Sequence, residues 1–61
     1  MDRKSASYVA SILAGDSMTV QNLIEQANVD EIGDDILVRV VETQLLCIEA
    51  DIANIRRIME G

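Results

Sequence analysis

The chain has no proline, histidine, tryptophan or phenylalanine, and Tyr8 is its single aromatic ring among 61 residues. Each gap closes off a class of structure or chemistry. Cys47 is the only cysteine, so no disulfide forms within one chain. One thiol and no imidazole make a poor metal-ligand set. The lack of histidine also removes the commonest general base, so hydrolytic or transfer chemistry is not expected. The sequence thus reads as a non-enzyme with no cofactor. Aromatics at 2% and few turn signals argue against β-sandwiches and barrels.

Positive charge is also scarce. Five basic residues stand against eleven acidic ones, for a formal net charge of −6. That balance is the reverse of what a nucleic-acid backbone attracts, and it disfavours docking on anionic membrane surfaces. No run approaches the roughly 18–20 apolar residues that span a bilayer. Met1-Asp2-Arg3-Lys4 has some character of a signal n-region, but the stretch from Ser5 to Leu13 is short and interrupted by polar residues. The expected setting is the cytoplasm, with Cys47 reduced.

What is present is apolar residues, 49% of the chain, placed at helical intervals. This periodicity excludes disorder and predicts an all-α fold in one small domain, residues 1–61. Glycines at 15 and 33 divide the chain into three expected helices, roughly 5–14, 19–27 and 34–59. In the first, Tyr8, Val9, Ile12 and Leu13 form a stripe, Asp2 or Ser5 caps the start, and Gly15 suits a left-handed C-terminal cap. In the second, Val20, Leu23, Ile24 and Ala27 fall at i, i+3, i+4 and i+7, with Asp16, Ser17 or Thr19 as caps. For the third, Asn28 to Glu31 match a capping box, but a start at Asp34 after a short turn ending at Gly33 is preferred. The expected architecture is two short N-terminal helices packed on one long C-terminal helix, in an oligomeric helical bundle.

The long helix carries the strongest pattern. Val38, Val41, Leu45, Ile48, Ile52, Ile55 and Met59 recur at alternating steps of three and four, a coiled-coil seam. At about 1.5 Å per residue this helix is roughly 39 Å long, more than two short helices cover. Ile36, Leu37, Val40, Leu46, Cys47, Ala50 and Ala53 widen its apolar surface, as in a helix at the centre of a bundle. A chain of this size buries only about 60% of its unfolded surface. The seam is therefore expected to be an oligomer interface, in a homo-oligomer of two or more chains.

Two polar clusters are candidate sites. Asp30, Glu31, Asp34 and Asp35 are expected either to cap the long helix through its dipole or to dock a protein partner. They lack the ligand spacing of an EF-hand, and they would repel phosphates if the helices around them formed a helix-turn-helix. Arg3, Lys4 and Tyr8, with Ser5 and Ser7 nearby, are the candidate ligand-binding group, able to hold an anion or nucleotide between subunits. Cys47 reads as a packing residue, since its apolar neighbours raise a thiol pKa. Arg56 and Arg57 suit the negative end of the helix, and an Asp51–Arg56 pairing between copies would favour parallel association. The functional expectation is an oligomeric interaction protein with an acidic surface, of a regulator, inhibitor or chaperone type. The alternatives are a binder of small anions or nucleotides and a structural assembly subunit.

Overall fold

The computed structural model describes all residues, 1–61. It is a helical hairpin: α1 spans Arg3–Asp30, α2 spans Asp34–Glu60, and the two pack antiparallel along their length. The Cα atoms fill a slab of 45 × 16 × 7 Å. The architecture is all-α, but the expected pair of short N-terminal helices is one continuous helix about as long as α2. Gly15 does not end it, and no glycine in the chain has a positive φ.

The reason lies in a repeat that runs through Gly15. Ala6, Val9, Leu13, Asp16, Val20, Leu23 and Ala27 keep the three-four spacing across the whole of α1, and all are half-buried or buried. Breaking the helix at Gly15 would interrupt this stripe and leave two new sets of unsatisfied backbone groups. Keeping glycine inside costs only about 1 kcal/mol. The residues expected to cap a second helix have other work. Thr19 Oγ1 donates back to the Gly15 carbonyl at 2.9 Å, and Asp16 turns toward α2.

The facing stripe on α2 is Leu37, Val41, Gln44, Ile48, Asp51, Ile55 and Ile58. Apart from Ser5 and Asn54, every residue that is not exposed lies in one of these two stripes. They make a single antiparallel coiled-coil seam. Because α1 runs the full length of α2, it spans the length that two short helices could not, covering one face of α2 from end to end.

The ends of the helices follow from local chemistry. Asp2 caps α1: its Oδ1 accepts from the Lys4 and Ser5 backbone N–H at 3.1 and 3.2 Å, and Ser5 Oγ donates to Oδ2 at 2.7 Å. At the other end Glu31 takes a left-handed conformation, φ 55°, ψ 41°. The Ile32 backbone N–H then reaches the Ala27 carbonyl at 3.0 Å, closing a Schellman-type end. Glu31 is therefore a C-terminal cap and not part of a capping box. Gly33 is the extended N-cap residue of α2 and Asp34 its first helical residue. Asp34 and Asp35 then lie in the first turn and Arg57 in the last, each on the side of the dipole that favours it.

Candidate functional site

The middle of the seam is polar. Heptad packing brings Asp16 from α1 against Gln44 and Asp51 from α2, one turn to either side of Ile48. Gln44 Nε2 donates to Asp16 Oδ1 at 2.9 Å. Asp51 is 9% exposed, and its Oδ2 is buried with no hydrogen-bond donor in reach. Two carboxylates and one amide thus meet with too few donors to satisfy them. A protonated Asp51 would supply one by donating to Asp16. That hydrogen bond is the largest influence holding the Asp51 pKa above its ordinary value, followed by burial and by the charge of Asp16.

The spacing alone does not reveal this layer, because Asp16 reads as a candidate cap of a second helix and Asp51 as a partner for Arg56 of another copy. The signal was present in the uninterrupted heptad of α1, which places Asp16 at an inward position. Asp51 cannot pair with Arg56 between copies, as expected for parallel association, because it faces α1. Nowhere do three or more acidic, cysteine or histidine side chains gather closely enough to hold a metal ion.

The expected oligomer seam divides into two columns. Val41, Ile48 and Ile55 are half-buried against α1, inside the hairpin. Val38, Leu45, Ile52 and Met59 remain 52, 42, 39 and 60% exposed. These four recur every seven residues along one edge of the seam, and none is charged. Antiparallel packing sets them beside the corresponding edge of α1, Ala10, Ser17 and Ile24, which is small or apolar. Cys47 is exposed on the opposite edge of α2, so it is not the packing residue expected of it.

The hairpin sorts charge by position. Asp30, Glu31, Asp34 and Asp35 collect at the turn, all exposed, with Asp30 Oδ2 accepting from Gln26 Nε2 at 3.1 Å. Arg3, Lys4, Arg56 and Arg57, four of the five cations, sit at the open end where α1 begins and α2 finishes. The molecule is a rod with an acidic tip and a cation-rich base. At that base Tyr8 is 68% exposed. The one surface depression is lined by Glu49, Ile52, Ala53, Arg56, Arg57 and Glu60. All six belong to α2, so it is a groove along a helix surface, and Arg3, Lys4 and Tyr8 do not line it. No helix is long and apolar enough to cross a membrane. Comparison with protein-family models, with curated proteins and with solved structures finds no match.

Proposed function

We propose that this chain is a non-enzymatic interaction protein that works as an oligomer, through contacts along its helices and through its acidic surface. The observation that carries the reading is the imbalance between surface and core. A compact monomer of 6.7 kDa exposes roughly 3,900 Å² by the scaling of surface with mass. This hairpin exposes 4754 Å², and only Ala27 and Asp51 are buried. The excess, roughly 850 Å² on that scaling, is close to the about 800 Å² that each partner contributes to a standard interface. A second observation suits association: the column of Val38, Leu45, Ile52 and Met59 stays exposed along one face of α2.

The acidic tip suits a partner that presents cations. In this reading Asp30, Glu31, Asp34 and Asp35 steer association, an effect that shows in on-rate and salt dependence more than in stability. A reducing cytoplasmic setting completes the proposal, resting on the lone exposed thiol. The test is thermal unfolding by circular dichroism over a hundredfold range of protein concentration. Association coupled to folding makes the midpoint rise with concentration. A concentration-independent midpoint, with the helical signal intact at the lowest concentration, overturns the reading.

A further inference from the structure

We infer that the partner seated on the column of Val38, Leu45, Ile52 and Met59 is a second copy of the chain, packed antiparallel so that two hairpins form a four-helix bundle. The inference rests on the oligomeric reading above and names the surface and the orientation. Three features of the hairpin point the same way.

The first is area: the surplus surface of one hairpin matches one side of a standard interface. The second is the column itself, which runs for about 32 Å at 1.5 Å per residue without a charge. Together with Val41, Ile48 and Ile55 of the hairpin seam it gives α2 two adjacent apolar columns, a face broad enough for a bundle helix. In a two-fold, self-complementary contact, Val38 meets Met59 of the partner subunit and Leu45 meets Ile52 of the partner subunit. The small Ala10 and Ser17 beside the column leave room for those larger side chains.

The third feature is charge, and it decides orientation. Beside the column on α2 run Glu42, Glu49 and Arg56. Antiparallel packing sets Glu42 opposite Arg56 of the partner subunit, twice over, and leaves Glu49 facing its own copy at the axis. Parallel packing would set all three against their own kind, a destabilising arrangement. Antiparallel packing also lays the acidic tip of each hairpin beside the cation-rich base of the other. A parallel dimer would stack both acidic tips together.

The experiment uses the full chain and reads mass by sedimentation equilibrium and helicity by circular dichroism. Ile52→Lys, outside the hairpin seam, enters the interface twice, and the dimer dissociation constant should rise by at least about 100-fold. Val40→Lys, on the opposite edge of α2, should leave mass unchanged. Orientation is read separately by cysteine pairing in a Cys47→Ser background. An equal mixture of Glu42→Cys and Arg56→Cys chains should yield the mixed disulfide on mild oxidation. Arg56–Arg56 pairing of the cysteine variants instead would mean a parallel dimer and overturn the orientation. A wild-type oligomer whose mass Ile52→Lys leaves intact overturns this interface while sparing the oligomeric reading. A wild-type chain that sediments as a fully helical monomer overturns both.

Discussion

Glu31 is the one non-glycine residue with positive φ, and its strain is local and testable. The left-handed conformation brings Cβ close to the following carbonyl oxygen, costing about 1–2 kcal/mol, and a β-branched residue fits it worst. Glu31→Gly should stabilise the hairpin by about 0.5–1 kcal/mol, the relief being partly offset by the greater freedom of unfolded glycine. Glu31→Val should destabilise it. Gly15 presents the opposite case. A Cβ there meets nothing within 4 Å, so Gly15→Ala should add about 1 kcal/mol. In a domain of this size that is roughly 4–8 °C in the melting midpoint, read by circular dichroism. If Gly15→Ala destabilises instead, helix continuity through residue 15 is wrong. The left-handed cap expected at Gly15 is instead made by Glu31, where no residue type announced it.

Between the helices, the Asp16–Gln44–Asp51 layer sets how the hairpin responds to pH. A carboxyl whose folded pKa is raised stabilises the fold fully below the ordinary aspartate value of about 3.9. It loses that contribution as pH climbs through the folded pKa. Acidification from pH 7 into that window should therefore raise the melting midpoint, and Asp51→Asn should raise it at pH 7 and flatten the response. Asp2 acts in the opposite sense. The hydrogen bonds from Ser5, side chain then backbone, and from the Lys4 backbone hold its pKa low. Its contribution is present above the ordinary value and fades as pH falls through the folded one. A midpoint for Asp51→Asn that tracks the wild type across pH would show that the pair is not strained. Ile48 packs in the centre of this layer, so Ile48→Asp should cost on the order of 3 kcal/mol and unfold the hairpin itself, not only an interface. The helix class, the start of α2 at Asp34 and the apolar breadth of α2 were legible in the spacing. The choice of inward column was not, because beside Val41, Ile48 and Ile55 the fully apolar column stays outside, while the inward one carries Gln44 and Asp51. Only the presence of a full-length α1 selects Leu37, Gln44, Asp51 and Ile58 over Val38, Leu45, Ile52 and Met59.

For the whole molecule, the separation of acidic tip and cation-rich base shows how charge placement matters beyond net charge. The acidic cluster and the Arg3, Lys4 and Tyr8 group were visible as residues, but the hairpin that sends them to opposite ends of a 45 Å rod was not. Replacing Glu31 with glutamine and Asp35 with asparagine removes two charges of opposite dipole effect, unfavourable at the end of α1 and favourable at the start of α2, each worth only about 0.3–1 kcal/mol. Stopped-flow association at low salt should slow, and the difference should vanish at high ionic strength as the charges are screened. An unchanged on-rate across the salt series would retire the tip as a steering surface. The central claim, that one hairpin is half of a working unit, is tested most directly by the mass of the wild-type chain in sedimentation equilibrium at micromolar concentration. The account predicts twice 6.7 kDa or a higher multiple, and a mass of 6.7 kDa with full helicity would contradict it.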